Sequence, residues 1–195
     1  MRRQSEQIKQ MTDREVLIHL YITQGLLLLL AGGSSLFLFA REEWRRLWQF
    51  ELRDVLVYGA GGAAFVLAAE FLAMRYLPDD WHDDGGVNEK IFRGRSIPHL
   101  FFLCALIAVT EEWLFRGIVQ THWGLWAASA IFAVLHVRYL EKWFLFMVVV
   151  LLSLFLGVLY EQTDSLWAAI TAHFLIDFVL ALHVRFKRGA EEERE

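Results

Sequence analysis

Residues 98–123 read PHLFFLCALIAVTEEWLFRGIVQTHW, an apolar run with a polar interruption near its middle. About 20 such residues are enough to cross a hydrocarbon core of ~30 Å as a helix. Three charged side chains, Glu111, Glu112 and Arg116, stand close together in this run. Each costs about 2.5–3.5 kcal/mol at the centre of a membrane helix. A membrane segment that contains all three charged side chains therefore indicates an ion pair, a polar cavity or a catalytic site.

The remaining apolar residues are also gathered in long blocks. The 195-residue chain is 56% hydrophobic, whereas soluble domains are about 45–50% apolar. The sequence therefore predicts an all-α fold, a polytopic membrane helical bundle with about six transmembrane helices. The first block is too long for a signal peptide and is predicted to be an uncleaved helix. The predicted spans are 16–39, 52–76, 98–120, 123–137, 143–160 and 167–184.

Lysine and arginine predict the orientation, because loops rich in these residues remain in the cytoplasm. With a cytoplasmic N-terminus, far more of them fall on the cytoplasmic side than outside. We therefore expect an integral membrane protein with both termini in the cytoplasm. The cytoplasmic set is Arg2, Arg3, Lys9, Arg14, Lys90, Arg93, Arg95, Arg138, Lys142, Arg185, Lys187, Arg188 and Arg194, and the outer set is Arg41, Arg45, Arg46 and Arg53.

The predicted spans divide the chain into three parts. Residues 1–97 hold an N-terminal cytoplasmic segment, two transmembrane helices and an acidic loop; 98–184 form a four-helix core; 185–195 form a charged cytoplasmic tail. The acidic stretch DDWHDD at 79–84 is interpreted as a solvated loop rather than a cation site. Cys104 is the sole cysteine, which excludes an internal disulfide and two-cysteine metal motifs.

Titratable and charged residues recur inside four of the predicted spans, and Glu70 of the second span is interpreted as a contact between helices. Any one of them alone is more often a hydrogen-bonding contact between helices than a functional group. As a set they differ, because three helices each supply a group that can move a proton or bind a metal. The set is Glu111, Glu112, Arg116, His136, His173 and Asp177.

Helical spacing sorts these side chains by direction. Glu112 and Arg116 are four residues apart, on one helix face and in the order that favours an ion pair. His173 and Asp177 have the same spacing and can face one cavity. Glu111 is turned by about 100° from Glu112. It is therefore predicted to face a different neighbour while Glu112 holds Arg116.

Three short motifs in this set resemble a known family. EEWLFR at 111–116 fits EExxxR, FAVLH at 132–136 fits FxxxH, and HFLID at 173–177 fits HxxxN/D. These motifs, in this order on separate spans, resemble the CPBP (CAAX protease and bacteriocin-processing, or Abi) family of intramembrane proteases. That family includes eukaryotic endopeptidases that trim prenylated CAAX proteins, and bacterial proteins linked to bacteriocin processing or self-immunity. The resemblance covers roughly residues 98–180 and does not include the first two spans.

The resemblance implies a function and its partners. It implies an intramembrane endopeptidase, in the cell membrane of a bacterium, acting on a membrane-embedded or membrane-anchored peptide or protein. The other expected partner is the lipid bilayer, and no nucleic acid is expected. HExxH and GxSxG, the signatures of zinc-protease helices and serine hydrolases, are absent from the sequence.

The resemblance also implies roles for the motif residues. Glu111 with His136 would hold and activate a water, Glu111 acting as general base. Glu112 and Arg116 would form a supporting ion pair. His173 would donate a hydrogen bond to the oxyanion, assisted by residue 177. Better-known members have Asn there, and an ionised Asp177 cannot donate; it could instead accept from His173, or act while protonated.

The metal requirement stays open at the level of sequence. Glu111, His136 and His173 would make plausible zinc ligands with an open position for water, as in a metalloprotease. The same residues serve a metal-free glutamate mechanism equally well. We expect no tightly bound metal, with a divalent ion such as zinc as the alternative.

Two other functions and one geometric condition accompany this hypothesis. A family member without activity could act as a membrane scaffold or immunity protein, and a proton relay or transporter would also bury such groups. With straight, full-length helices, Glu111 lies at mid-membrane whereas His136 lies near the cytoplasmic side. His173 comes about two turns after the outer start of the last span. These residues can meet only if the fourth span is short or tilted, or if a water-filled cavity pinches the bundle.

Overall fold

The computed structural model describes residues 10–192, with side chains described as far as residue 186. This part of the chain is helical and contains no strand, which confirms the predicted all-α bundle. The predicted cytoplasmic residues Arg2, Arg3, Lys9 and Arg194 lie outside the described residues. The helices are α1 (Asp13–Leu38), α2 (Arg41–Leu47), α3 (Leu52–Tyr76), α4 (Asp79–His82), α5 (Val87–Phe92), α6 (Ile97–Glu112, followed by a π-helical segment Trp113–Gln120), α7 (Thr121–Leu135), α8 (Trp143–Thr163) and α9 (Leu166–Glu192).

Within the described residues, four helices are long and apolar enough to cross a membrane: α1, α3, α8, and α9 over Leu166–Phe186. A fifth segment is the continuous helix formed by α6 and its π-helical extension, which carries the charged residues. The sixth is short. Gly124 has φ 82° and ψ 169°, a conformation open to glycine, and it breaks α7 so that only 125–135 turns back into the bundle. The six predicted spans are therefore present in approximate form.

The short segment satisfies the geometric condition for the site. Residues 125–135 rise roughly 16 Å as a helix, about half of a ~30 Å hydrocarbon core. Phe132, near the end of this segment, lies 5.6 Å from the Arg116 guanidinium, measured to the ring centre. His136 follows one turn later, close enough to Glu111 for the two side chains to interact electrostatically. The predicted fourth span of 123–137 is thus about half a span, and that shortness lets His136 reach the region of the α6 carboxylates.

The loops of the bundle assemble at two opposite ends. The first end holds the beginning of α1 and the described end of the chain, so both described termini lie on one side. Trp167 Nε1 donates to the Trp48 carbonyl at the second end, 3.2 Å away. The contacts at the first end are Lys90 Nζ to Met11 O (2.6 Å), Lys142 Nζ to Asp83 Oδ2 (3.0 Å), Arg95 Nη2 to Asp13 O (3.3 Å), and Arg185 to the Arg95 carbonyl.

The structure adds short helices where the sequence analysis predicted loops. In α2, the Ala40 N–H donates to Glu43 Oε2 at 2.7 Å, which caps the helix start. The acidic loop is docked rather than fully solvated. Asp84 accepts hydrogen bonds from backbone N–H groups at the start of α5. Helix α5 then packs Val87 and Ile91 into a cluster with residues of α1 and α6.

The π-helical segment Trp113–Gln120 follows directly after the two glutamates. A π-turn admits one more residue per turn than an α-turn and often occurs at functional sites. Here Thr121 Oγ1 donates to the Arg116 carbonyl, five residues earlier, at 3.1 Å. The Thr121 hydroxyl thus satisfies a carbonyl in the widened turn. Glu112 and Arg116, four residues apart where the π-helical segment begins, remain in contact.

Single-cysteine labelling tests which end faces the cytoplasm. In a Cys104→Ala background, Glu42→Cys and Asp80→Cys place an exposed thiol at the second and first ends, respectively. A membrane-impermeant maleimide should label Glu42→Cys in intact cells and Asp80→Cys only after permeabilisation, because the lysine and arginine bias puts the first end inside. The reverse pattern would invert the orientation. Labelling of both positions from one side would contradict the two-ended arrangement.

Candidate active site

A buried ion pair lies at the centre of the bundle. Arg116 Nε donates to Glu112 Oε2 at 3.0 Å, and both side chains are 0% exposed. The second guanidinium arm is held by α8, where Arg116 Nη2 donates to Ser153 Oγ at 3.0 Å. The predicted pairing of Glu112 with Arg116 is therefore present, and it ties α6 to α8.

The other oxygen of Glu112 holds the histidine of α9. His173 Nδ1 donates to Glu112 Oε1 at 2.8 Å, and His173 is 4% exposed. Its Nε2 faces Asp177 Oδ2 at 3.5 Å, one turn further along α9. The Asp177 side chain is 25% exposed. Each nitrogen of this imidazole thus faces a carboxylate, one sealed in the core and one at the edge of a more open region.

Glu111 points away from this network, as its position on the helix predicts. Its Oε1 accepts a hydrogen bond from Gln24 Nε2 of α1 at 3.1 Å. Gln24 is 2% exposed, and its amide oxygen accepts from the Thr110 hydroxyl. The Glu111 side chain itself is only partly buried. The two adjacent glutamates therefore occupy different surroundings, one enclosed by cations and one beside a neutral amide.

His136 caps the short helix α7. Its Nδ1 lies 2.8 Å from the Phe132 carbonyl, one turn earlier. A carbonyl oxygen can only accept, so Nδ1 carries the hydrogen and Nε2 of the neutral ring keeps a free lone pair. The ring also packs on Phe132, with centroids 4.4 Å apart. The backbone thus fixes the tautomer that offers an acceptor nitrogen, and the side chain is partly exposed.

Three helices, α6 with its extension, α7 and α9, bring the six predicted site residues together. The His136 ring interacts electrostatically with both Glu111 and His173, and His173 with both Glu112 and Asp177. The set has two parts: a sealed core and a partly exposed rim. The sealed core is Glu112, Arg116 and His173, and the rim is Glu111, His136 and Asp177.

Comparison with known proteins places this arrangement in a family. Residues 93–179 match the family model described as type II CAAX prenyl endopeptidase Rce1-like. A relative in Bacillus subtilis (strain 168), uncharacterized protein YpbD, is 45% identical over 177 residues, which cover 89% of this chain and 93% of the relative. The chain belongs to the Rce1-like CAAX prenyl endopeptidase family. No solved structure matches the chain.

Membership in the Rce1-like family supports a protease role in general terms. The matched region contains all six predicted site residues and covers α6, α7, α8 and most of α9. Helix α1 and its Gln24 lie outside the matched region. Together with the apolar helices, the family match indicates an integral membrane protein that acts on a membrane-associated peptide.

The side chains do not fit a zinc ion as they are arranged. Within residues 10–192, no group of three or more His, Cys, Asp or Glu side chains is placed to hold a metal. His173 Nδ1 carries the hydrogen donated to Glu112, so Nε2 is the nitrogen of this ring that could ligate. Its Nε2 faces Asp177 at 3.5 Å. The ligand set Glu111, His136 and His173 would therefore require Asp177 to give up its place beside Nε2, whereas the bond from Nδ1 to Glu112 could remain.

Three polar residues of this site were missed by the sequence analysis. Gln24, Thr110 and Ser153 each hold a charged group or its partner. Gln24 stands immediately before the run GLLLLL at 25–30, and a buried amide in such a segment is itself a signal. Ser153 gives no comparable signal, because serine is common at helix contacts in membranes.

Replacing Arg116 by alanine should destabilise the whole bundle. It leaves the Glu112 carboxylate buried without its main partner, and removing one member of a buried ion pair costs about 3–5 kcal/mol. Thermal unfolding in detergent measures this loss. The matched control is Arg45→Ala, whose partner Glu42 lies 3.8 Å away with both side chains largely exposed; it should cost less than about 1 kcal/mol. Unchanged stability in Arg116→Ala would contradict the structural role.

Proposed function

We propose that the protein is an intramembrane endopeptidase that hydrolyses a peptide bond with a water activated by Glu111 and His136. One observation carries the proposal: the Glu111 carboxylate and the His136 imidazole, which keeps a lone pair on Nε2, interact electrostatically at the partly exposed rim of an otherwise sealed polar network. A polar network that only joins helices has no need of this open part.

Two of the rim side chains, Glu111 and His136, can together bind one water molecule through both of its hydrogens. The Glu111 carboxylate accepts one hydrogen, and His136 Nε2 accepts the other. The lone pair of the water is then free to face the scissile carbonyl. As the C–O bond forms, the shared proton passes to Glu111, which later delivers it to the departing amine. The C–N bond breaks at that point, and the carboxylate is restored.

His173 is suited to stabilise the oxyanion. Its Nδ1 hydrogen is given to Glu112, so Nε2 can donate only when the ring is an imidazolium. Asp177, beside Nε2, favours that form and serves as its acceptor until substrate arrives. In this proposal Asp177 acts through His173 and makes no contact of its own with the oxyanion. A positioned donor of this kind is worth about 10²–10³-fold in rate.

The sealed ion pair sets the position of this donor. Glu112 links Arg116 to His173 through its two oxygens, so the imidazole of α9 is placed by a charge on α6. The substrate is a peptide segment within or attached to the membrane. The family's CAAX prenyl substrates define one candidate class, and the side chains of the site carry no evidence about a prenyl group.

Glu111→Gln tests the base directly. Glutamine keeps the shape of the side chain but cannot take up the proton. Cleavage of a membrane-peptide library in liposomes should fall by about 10²–10⁴-fold, the usual contribution of a general base. His136→Ala should cause a comparable loss. Melting curves should show that both variants remain folded.

The matched control is Glu70→Gln, the same change at a partly buried glutamate of α3 whose charged neighbour is His82. It should cleave at the wild-type rate. A scaffold or immunity protein predicts a different result, because wild type would then cleave nothing. Cleavage by Glu111→Gln at the wild-type rate would disprove the glutamate mechanism.

Chelation tests the metal requirement separately. Activity should persist after dialysis against EDTA or 1,10-phenanthroline, because no three metal-ligating side chains among the described residues are placed to hold one ion. The assay is the same liposome cleavage, with a zinc protease as the positive control for chelation. Loss of activity that added zinc restores would contradict this prediction and favour a metalloprotease.

A further inference from the structure

We propose that Gln24 of α1 is a positioning residue for Glu111, and that the active site therefore extends beyond the segment that matches the family. The inference rests on the proposed role of Glu111 as the base. It assigns a function to a helix that the motif set does not include. Three observations carry it: the burial of Gln24, the direction of its hydrogen bonds, and the other contacts of α1.

Gln24 is one of the buried residues of α1, with Val16, Ala31 and Ser35. It is 2% exposed, whereas Ile22, Leu26 and Leu29 on the other faces of the helix are exposed. Burying an amide costs free energy unless its hydrogen bonds are made. Both ends of this amide are used, one on Thr110 and one on Glu111. The amide on the inward face of α1 is therefore held by specific hydrogen-bond partners.

The direction of the amide follows from its neighbours. A carboxylate only accepts hydrogen bonds, so the NH2 group of Gln24 must face Glu111. Its carbonyl oxygen then faces the Thr110 hydroxyl, whose hydrogen it shares with the Leu106 carbonyl, 2.8 Å from the same hydroxyl. The resulting chain of hydrogen bonds runs from Thr110 through Gln24 to Glu111. It holds Glu111 Oε1 in place and leaves the second oxygen for the water.

The attachment of α1 does not depend on this contact. Tyr21 Oη and His99 Nε2 form a hydrogen bond of 2.8 Å on one side of Gln24. Trp113 Nε1 donates to Ser35 Oγ at 3.1 Å on the other side. Helix α1 is thus fastened to α6 and its extension both above and below the amide. Of these three contacts of α1, the one made by Gln24 reaches Glu111, the proposed base.

Gln24→Met tests the inference, because methionine has a similar length and no donor. We expect kcat to fall by about 10–10²-fold, as misplacement of a reacting group does, with KM within about twofold. The acid limb of the kcat/KM profile should move to higher pH, since a carboxylate that loses a hydrogen-bond donor binds its proton more readily. A purely structural role would lower the rate without moving the profile.

A second readout does not require activity. An infrared pH titration of the intact protein follows the Glu111 carboxyl band, assigned by its absence in Glu111→Gln. Its midpoint should move to higher pH in Gln24→Met. Ser35→Ala is the matched control, since it also removes a buried hydrogen bond between α1 and the α6 extension. Ser35→Ala should leave the midpoint of the Glu111 carboxyl band and the pH profile of kcat/KM unchanged.

The outcomes separate the two proposals. If the band and the profile stay unmoved in Gln24→Met, the positioning role is overturned even though Glu111→Gln is inactive. If wild type cleaves nothing but the band moves, the contact stands and the protease proposal fails. If Gln24→Met does not fold, Thr110→Val is measured instead. It frees the Gln24 oxygen and should move the band in the same direction by a smaller amount; an unmoved band there also overturns the inference.

Discussion

The packing of the helices depends on one carboxylate with no exposed surface. Glu112 gives one oxygen to Arg116 and the other to His173, and a buried charge without such partners would be strongly destabilising. Helices α6 and α9 therefore have one favourable register. Helix α8 contributes Ser153, which accepts a hydrogen bond from Arg116. The same helix packs closely against its neighbours at Gly157, where a Cβ atom would collide with Leu125 and lie 2.8 Å from Gln120 Oε1.

This constraint separates two kinds of polar group within a few ångströms. In the core, Glu112 gives both of its oxygens to Arg116 and His173, and only His173 Nε2 faces the rim, towards Asp177. The rim groups are held from behind, Glu111 by an amide and His136 by a backbone carbonyl, and each keeps one free acceptor. Neutral partners fix direction without cancelling charge, which is what a base requires. Helix α6 thus carries Glu112, which holds neighbouring helices together, next to Glu111, the proposed base.

Much of this arrangement could be read from the sequence, because it follows from periodicity. The apolar blocks predicted the bundle, and four-residue spacing predicted both the Glu112–Arg116 pair and the proximity of His173 to Asp177. The π-helical segment and the break at Gly124 could not be predicted, since each depends on how neighbouring helices pack. The bond from Glu112 to His173 joins residues 61 positions apart, and no local pattern encodes it. Gln24 is a conspicuous polar residue in the sequence, but its partner Glu111 is on another helix, and no local pattern connects the two.

The half-length segment 125–135 has a consequence for the surrounding lipid. Its outward residues Ile131, Val134 and Leu135 are apolar and exposed, yet they match only about half the thickness of a ~30 Å hydrocarbon layer. A bilayer accommodates such hydrophobic mismatch by thinning locally, at a fraction of a kcal/mol per Å. We expect such thinning beside α7 to bring head groups and their hydration shell closer to His136 at its end.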